Sequence, residues 1–318
     1  MSVLAADIGG TSIKLGVVEA GRVSARGRIE VVDRATLRPL LPALVHAWRD
    51  LLGRPVDPER DRAAVAFPGI VDAAGTEVLS VNGKFLDAPE INWSAWAQDA
   101  LRLPVLLEND ARAACLGEWR CGAGRGCDDM AMMTLGTGIG TSAIVQGRPI
   151  RGGHGQAGVL GGHLTIDLHG GPCSCGNVGC AEAVASTDRL REHLAEAQRD
   201  TDTKPSSLDP ETASYLEVVR AAQAGDGAAA HVMRQSVRAW GITAVNLIHA
   251  YDASRLVIGG GVARAGSAVI DGIRDHVHRH AWTPWGTVDV RPGELGDDAA
   301  LLGLPFIQEP PPPETATP

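Results

Sequence analysis

The sequence predicts an α/β protein built from two related lobes. Its 318 residues suffice, at roughly 150 residues per domain, for two globular lobes or one large one. Short apolar runs that read as strands alternate with longer segments whose apolar residues recur at helical spacing. The tripeptide Gly-Thr-Ser occurs at residues 10–12 and again at 140–142, each time in a predicted strand–turn–strand unit. This repeated context indicates two related lobes, each presenting a glycine turn to one cleft.

The first part of the chain is predicted to open as a strand meander and to continue with alternating helices and strands. The predicted strands are residues 3–7, 13–18, 63–67 and 104–107. The predicted helices are residues 36–52, 93–103 and 111–119.

The second part of the chain repeats the opening pattern. Its predicted strands are residues 130–135, 141–145 and 256–258, and its long predicted helix is residues 228–249. Residues 200–209 are polar and are predicted to form a surface loop. Residues 310–318 are rich in proline and are predicted to be disordered, because they offer a packed core almost no apolar surface.

The charge balance excludes several classes of partner. The chain carries 29 basic and 38 acidic residues, a net charge of -9. Nucleic acids and anionic membranes repel such a chain, so neither is an expected partner. The sequence has no apolar run of about 18 residues and no signal-peptide pattern at its N-terminus. We therefore expect a cytoplasmic protein that binds a neutral molecule, or an anion at a local backbone site.

Three glycine-rich turns follow predicted strands and are candidate phosphate sites. The first turn and its flanks hold Asp7, Gly9, Gly10, Thr11 and Lys14. Glycines let backbone N–H groups approach phosphate oxygens closely, and a carboxylate at the strand end can hold Mg²⁺. An ordinary hairpin fits this motif equally well when it stands alone, but the second turn weakens that alternative.

The second and third glycine-rich turns follow later predicted strands. Their residues are Gly136, Thr137, Gly138 and Gly140, and then Gly259, Gly260 and Gly261. The third turn suits the close approach of a flat adenine or ribose to the backbone. Taken alone, it is equally compatible with a simple strand–helix turn.

With these turns the sequence resembles the ROK family of bacterial sugar kinases and sugar-responsive repressors. The resemblance extends to about residue 307 and rests on six motifs in the family's order: DIGGTSIK, ENDARAACLGEW, LGTGIGT, GGHLTI, CSCGNVGCAE and VIGGGVA. It implies the two-lobed actin/hexokinase-like (ribonuclease H-like) fold with mixed sheets. It also implies phosphoryl transfer from ATP, with Mg²⁺, to a hydroxyl of a hexose or N-acetylhexosamine, most simply the 6-hydroxyl.

Asp110 is the candidate catalytic base. A sugar hydroxyl is a poor nucleophile at neutral pH, and a nearby carboxylate can take its proton as the bond to phosphorus forms. From spacing alone, Asp110 reads as the N-cap of the helix that starts at Ala111. The resemblance instead places Asp110 at the family's base and Asn109 at its sugar-binding asparagine, and both roles can coexist. Asn82 lies where such kinases often contact the sugar.

Three cysteines and a histidine are candidate ligands of a structural zinc ion. Cys173, Cys175 and Cys180 have the spacing C-x-C-x4-C, and His163 lies ten residues before the first of them. Three thiolates and an imidazole complete a tetrahedral site, which leaves no position for a catalytic water. Buried free thiols are the alternative.

The resemblance gives two residues around this cluster a role in sugar binding. His163 matches a histidine that binds zinc with one ring nitrogen and the sugar with the other. Glu182 matches the family's sugar-binding glutamate, although by itself it also fits a solvated residue near a helix start.

One position departs from the family's pattern. The family usually carries another sugar-binding glutamate three residues before the zinc histidine, where this chain has Leu160, and neither Val159 nor Gly161 is acidic. The change removes charge-assisted hydrogen bonds worth about 1.5–3 kcal/mol each. Either the substrate differs from glucose at the affected hydroxyls, or His154 or Gln156 replaces the acid.

The expected function is an ATP-dependent sugar kinase, and two alternatives are open. A sugar-responsive repressor would need a helix-turn-helix, for which the first phosphate motif at Asp7 leaves no room. A non-catalytic sugar-binding protein gains support from Leu160 but is opposed by Asp7, Lys14, Asp110 and the glycine turns.

The resemblance also implies a division into lobes and an assembly. The small lobe is expected to comprise residues 1–107 and a C-terminal helix at about 297–309, and the large lobe residues 108–296 with the zinc loop. A homodimer or tetramer is expected, because homodimers are common in the family.

Overall fold

The computed structural model describes residues 1–199 and 206–308, and the chain divides into two compact units. Unit 1 comprises Met1–Asp128, Gln146–Val159 and the chain from Asp297 onward, and unit 2 comprises Asp129–Val145 and Leu160–Gly296. The tail of residues 310–318, predicted to be disordered, lies outside the described residues, as do residues 200–205 of the predicted surface loop. Within the described ranges, no helix combines the length and apolarity needed to cross a membrane.

Unit 1 is built on a mixed five-stranded sheet. Its strands are β1 (Ser2–Ile8), β2 (Ser12–Glu19), β3 (Arg22–Glu30), β4 (Asp61–Phe67), β5 (Gly69–Val71), β6 (Val78–Val81) and β7 (Val105–Asn109). Strands β5 and β6 form a separate hairpin, and the others form a sheet in the order β3-β2-β1-β4-β7. The first three strands are the predicted antiparallel meander, whereas β4 runs parallel to β1 and β7 parallel to β4.

The sheet of unit 2 repeats this arrangement. The remaining strands are β8 (Met130–Leu135), β9 (Ile139–Val145), β10 (Arg148–Pro149), β11 (Arg255–Gly259) and β12 (Asp289–Pro292), and all but the short β10 belong to unit 2. In unit 2, β8 pairs antiparallel with β9 and parallel with β11, which pairs parallel with β12. The order β9-β8-β11-β12 therefore matches β2-β1-β4-β7, which supports the predicted duplication. The two Gly-Thr-Ser tripeptides do not occupy equivalent places, because residues 10–12 lie in the turn and at the start of β2, whereas residues 140–142 lie within β9.

Helices alternate with these strands along the described chain. They are α1 (Leu41–Leu52), α2 (Trp93–Leu101), α3 (Asp110–Cys121), α4 (Ala181–Ala185), α5 (Thr187–Arg199), α6 (Tyr215–Gln223), α7 (Gly227–Tyr251), α8 (Ser267–His280) and α9 (Ala299–Gly303). Helix α1 begins later than the predicted residue 36, because residues 38–40 form a 3₁₀ turn ahead of it. It ends as predicted at Gly53, whose left-handed φ of 65° lets its N–H bond the carbonyl of Arg49.

Each unit has its own core with tryptophan at its centre. In unit 1 the fully buried Trp48 donates its indole N–H to the carbonyl of Ala5 on β1 at 3.0 Å. In unit 2 the fully buried Trp240 of α7 donates to the carbonyl of Ala185 at 2.9 Å and packs 5.1 Å from the ring of Tyr215. These bonds satisfy the only polar atom of each buried indole ring.

Unit 1 extends further along the chain than the expected boundary at residue 107. Helix α3 packs so closely on α9 that a Cβ at Gly117 would lie 2.0 Å from the carbonyl oxygen of Ala299. In the same way, a Cβ at Gly303 would lie 1.8 Å from the carbonyl oxygen of Ala113. Two helix backbones in contact leave no space for side chains, so α3 and the C-terminal α9 form one body with the first sheet.

Candidate functional site

The first glycine turn joins β1 to β2 and carries an ion-pair network beside it. Asp7 and Lys14 are paired across the two strands, and the Nζ of Lys14 lies 3.7 Å from Oδ2 of Asp7 and 3.1 Å from Oδ1 of Asp297. Burial raises the pKa of the Asp7 carboxyl, and the ammonium of Lys14 opposes that shift. The turn itself closes through the N–H of Gly9, which donates to the carbonyl of Ser12 at 3.0 Å.

Asp110 lies at the same edge of this sheet as Asp7. Asp7 is the penultimate residue of β1, and Asp110 directly follows β7; both strands run parallel to β4. Parallel strands bring their carboxyl ends to one edge, where α/β proteins bind ligands. Burial raises the pKa of Asp110 to about 7, and the negative charge of Asp7 adds to the shift. The Ala111 N–H, which Asp110 accepts at 2.8 Å, and the positive charge of Lys84 act in the opposite direction.

Asn109 holds Asp110 in place and caps the helix that follows. Its Oδ1 accepts the N–H of Arg112 at 3.1 Å, so the N-cap of α3 is Asn109 and not Asp110. Its Nδ2 lies 3.0 Å from the carbonyl oxygen of Gly69 and 3.2 Å from Oδ1 of Asp110. The cap interpretation of Asp110 is therefore wrong, and the expected sugar-binding amide of Asn109 is engaged by bonds within the protein.

A buried ion-pair cluster beside the base was not anticipated from the sequence. The carboxylate of Glu108, fully buried, contacts the guanidinium of Arg112 at 2.8 Å and that of Arg151 at 2.5 Å. Arg112 also donates to the carbonyls of Ile150, Gly155 and Ala157. The signal was present in the sequence, since Arg112 is a lone charged residue among alanines, four positions after Glu108.

This cluster fixes the segment that carries His154 and Gln156. Both side chains are exposed, while the backbone on either side is bound to Arg112. Gly155 is required between them, because its φ is +71° and a Cβ there would lie 2.1 Å from the carbonyl oxygen of Val71. Asn82, another expected sugar contact, is exposed just after β6.

In unit 2 the second and third glycine turns lie together. Strand β11 pairs with β8 so that Gly259 is opposite Thr134, just before the second turn. Gly260, with a φ of +87°, lies against the end of β8, where a Cβ would be 2.3 Å from the carbonyl oxygen of Leu135. The carbonyls of Gly136 and Thr137 accept the first N–H groups of α5, at 3.0 and 3.4 Å.

Glu182 lies against the second glycine turn. Its Oε2 accepts the N–H of Ile139 at 2.9 Å, and a Cβ at Gly138 would lie 2.2 Å from the same oxygen. The glycine at 138 is therefore needed for the approach of this carboxylate. Glu182 is the second residue of α4, which begins directly after Cys180, so the turn and the cysteine loop are joined through it.

The four predicted zinc ligands come together in unit 2. One ligand atom from each of His163, Cys173, Cys175 and Cys180 lies within 4.8 Å of all the others. A tetrahedral zinc ion with Zn–S bonds of about 2.3 Å and a Zn–N bond of about 2.0 Å places two sulfurs about 3.8 Å apart and sulfur and nitrogen about 3.5 Å apart. The Sγ atoms of Cys175 and Cys180 are 3.8 Å apart, and Sγ of Cys173 is 3.5 Å from Nδ1 of His163.

The chemistry of the thiols also fits a bound cation. Burial, together with the neighbouring Cys173 and Cys175, raises the pKa of the Cys180 thiol. Burial alone would raise the pKa of Cys175 as well, but hydrogen bonds from the Asn177 backbone and the other two cysteines lower it. A divalent cation is what allows several neighbouring thiols to ionise together.

Leu160 lies at the start of the short turn that leads to His163. Its side chain is 39% exposed, so it is available to a ligand but offers no acceptor. The turn packs closely on β9, because a Cβ at Gly162 would lie 2.0 Å from the carbonyl oxygen of Ile139. The N–H of Gly161 is held at 2.8 Å by the hydroxyl of Thr141.

The family resemblance indicated by the glycine turns and the histidine–cysteine cluster is confirmed by comparison with known families. The model of the ROK family matches residues 3–308, and the chain belongs to the ROK family.

Individual relatives of this chain include kinases and repressors. The glucokinase of Thermotoga maritima is 30% identical over 323 residues, 96% of this chain and 97% of the relative. A ROK family glucokinase from Streptomyces griseus, solved in complex with glucose and AMPPNP, has a TM-score of 0.78 at 29% identity, covering 96% of this chain and 98% of the other. The xylose repressor of Bacillus subtilis is 28% identical over 76% of this chain but only 59% of its own length.

Proposed function

We propose that this protein is an ATP-dependent sugar kinase that transfers the γ-phosphate of ATP to a hydroxyl, most simply the 6-hydroxyl, of a hexose or N-acetylhexosamine. The observation that carries the proposal is the placement of Asp110, a carboxyl with a pKa near 7, at the sheet edge that also holds Asp7 and the first glycine turn. The glucokinase relatives and the solved complex with glucose and AMPPNP support the same pair of substrates.

In this mechanism Asp110 takes the proton of the sugar hydroxyl as its oxygen bonds to the γ-phosphorus. The bond between that phosphorus and the bridging oxygen of ADP breaks in the same transfer. The backbone N–H of Gly10 donates to a phosphate oxygen, while that of Gly9 closes the turn on Ser12. Asp7 would hold Mg²⁺, which neutralises phosphate charge when bound. Asn109 is a positioning residue, because its amide fixes the carboxylate of Asp110.

Unit 2 would supply the nucleotide turns, a structural zinc ion and sugar contacts. The second and third glycine turns would bind ATP. His163, Cys173, Cys175 and Cys180 would hold Zn²⁺, whose chemistry here is to order the loop. With Nδ1 facing the thiols, Nε2 of His163 is the ring nitrogen left for a sugar hydroxyl, and Glu182 would accept another.

A coupled assay of ADP release across a panel of sugars tests the proposed function. The panel is glucose, mannose, fructose, allose, N-acetylglucosamine and N-acetylmannosamine, each with ATP and Mg²⁺. We expect turnover with at least one of them, and Leu160 predicts a preference that differs from that of kinases carrying a glutamate there. The matched control is Asp110→Asn. Turnover with none of the six sugars would contradict the proposal.

A non-catalytic sugar-binding protein is the second candidate, favoured by the missing acid at Leu160. Calorimetry with the same six sugars separates the candidates, because such a protein would bind a sugar without releasing ADP. Because repressors are among the relatives, a sugar-responsive regulatory role is also an alternative to the kinase function.

The proposed assembly is a homodimer or tetramer, as the family suggests. Light scattering of the purified chain tests it, and a mass near 33.2 kDa would contradict it.

A further inference from the structure

Lysine is rare in this chain. Of the 29 basic residues only three are lysine, at positions 14, 84 and 204, and the other 26 are arginine. Lys204 lies outside the described residues, while Lys14 and Lys84 are both next to the first glycine turn. Almost all basic residues of the chain are arginine, yet both described lysines lie at the turn expected to bind phosphate.

Lys84 lies directly over this turn. A Cβ at Gly10 would be 3.1 Å from Cε of Lys84 and 3.2 Å from its Cδ and Nζ. The end of the lysine side chain therefore occupies the space that any larger residue at position 10 would fill. Lys84 is half-buried, so protein surrounds part of its side chain and the rest is accessible.

The backbone that carries Lys84 is fixed on its C-terminal side. Phe85 is fully buried and packs 6.2 Å from the ring of Phe67, and its N–H donates to the carbonyl of Arg34 at 2.7 Å. The carboxylate of Asp87 accepts the N–H groups of Leu37 and Arg38 at 2.7 and 2.9 Å. The stem of Lys84 thus starts from a rigid anchor, while its four methylenes stay free to adjust.

The same ammonium also acts on the catalytic base. Its positive charge lowers the pKa of Asp110 against the effect of burial. Lys84 is therefore close enough to both the phosphate turn and the carboxylate to influence each. In a transfer reaction, the migrating phosphoryl group must lie between the phosphates of the donor and the hydroxyl that faces the base.

We infer that Lys84 is a catalytic residue whose ammonium binds the phosphoryl group during its transfer. This inference rests on the proposed kinase function and adds a residue to it. As the bond from phosphorus to the sugar oxygen forms and the bond to ADP breaks, the proton of the hydroxyl moves to Asp110. Lys84 stays protonated throughout, and it stabilises the negative charge on the equatorial oxygens of the transferred group.

The geometry explains why this position is a lysine. An ammonium is a compact charge with three rotatable donors, and it can follow a group that moves along the transfer path. A guanidinium is planar, and its N–H groups point in fixed directions. The lysine side chain already occupies the space above Gly10. Arginine at position 84 is therefore not expected to replace lysine.

The test compares Lys84→Gln and Lys84→Arg with Arg28→Gln in steady-state assays on the full chain. Arg28 is a matched control, because it is an exposed cation of the same unit, on β3, and its ion-pair partner is Glu30. The substrates are ATP with Mg²⁺ and the sugar of the panel that the wild-type protein phosphorylates fastest. We expect both Lys84 variants to lose about 10²–10³-fold in kcat, while the KM for the sugar changes less than threefold and Arg28→Gln matches the wild type.

Two results would overturn the inference. One is a kcat for Lys84→Gln within threefold of Arg28→Gln. The other is a loss of kcat accompanied by an equal rise in the KM of the sugar and a lower melting temperature, which indicates a purely structural lysine. Absence of turnover in the wild-type protein is a separate outcome, because it removes the proposed function itself before any variant is compared.

Discussion

Burial determines what the carboxyl of Asp110 can do. A carboxyl with a pKa near 7 is a far better proton acceptor than one with an ordinary pKa, and near neutral pH a useful fraction is still ionised. The same burial destabilises the folded protein when the group is charged. Because the folded-state pKa lies above the unfolded value, this cost is absent at low pH and complete above about pH 7.

Asp110→Asn separates the two effects. We expect kcat to fall by about 10²–10⁴-fold, because the amide cannot take the proton of the hydroxyl. The melting temperature should rise relative to the wild type, and by more at pH 8 than at pH 5, because the amide carries no charge to desolvate. Calorimetric scans at the two pH values check the second part, and an equal shift at both would contradict it.

At the scale of elements, the cysteine loop is shaped by its own backbone as well as by the cluster. The N–H of Cys173 bonds the carbonyl of Asn177, and the N–H of Gly179 bonds that of Gly171, at 2.8 and 2.9 Å. Gly179 has a φ of +65°, and a Cβ there would lie 1.7 Å from the carbonyl oxygen of Asp167. Only glycine fits this position. With glycine there, the backbone of the loop itself brings the ligand residues close together.

Cys175→Ser tests whether the cluster holds zinc. A hydroxyl is a poor replacement for a thiolate, so we expect metal analysis to find the zinc content fall from about one ion per chain to well below half. The KM of the sugar should rise, because His163 loses its orientation. Cys121→Ser is the control, since Cys121 lies in α3 outside the cluster. A zinc content in Cys175→Ser equal to that of the wild type would contradict the assignment of the cluster as a zinc site.

Some elements were missed although their signals stand in the sequence. Helix α6 starts with a capping box in which Ser214 and Glu217 bond each other's backbone N–H groups. Strands were predicted better, because apolar runs such as 130–135 coincide with β8. Most predicted ends differ from the structure by one or two residues, since caps such as Asn109 depend on which side chain finally reaches the backbone.

At the scale of the molecule, unit 1 is assembled from three separate stretches of chain. The last of them brings α9 onto α3, with Gly117 and Gly303 at the contact. The middle stretch is bound by Glu108, which pairs with Arg151, and by Arg112, which donates to the carbonyl of Gly155. The stability of the first sheet therefore depends on residues almost 300 positions away in the sequence.

Gly303→Ala tests this dependence. The added methyl would enter the carbonyl of Ala113, and we expect a loss of about 1–3 kcal/mol in the free energy of unfolding of unit 1. Hydrogen exchange should accelerate in β1 and β4 but not in β8 and β11. Gly153→Ala is the control, because a Cβ there meets open space in the same unit. Equal acceleration in both units would show that they do not respond separately.

The sequence by itself determined most of the longer strands, the repeated topology and the cysteine–histidine cluster, which follow from local composition and short spacings. The candidate base Asp110 came from the family resemblance, because spacing alone favours an N-cap at that position. Only the tertiary structure decided that Asn109 is spent on capping and on Asp110, that Arg112 is a buried anchor and that Lys84 lies over Gly10. Those facts depend on the direction in which side chains leave the backbone and on contacts between distant residues. The sequence marks Arg112 only as an isolated charge among alanines and does not indicate which carbonyls it binds.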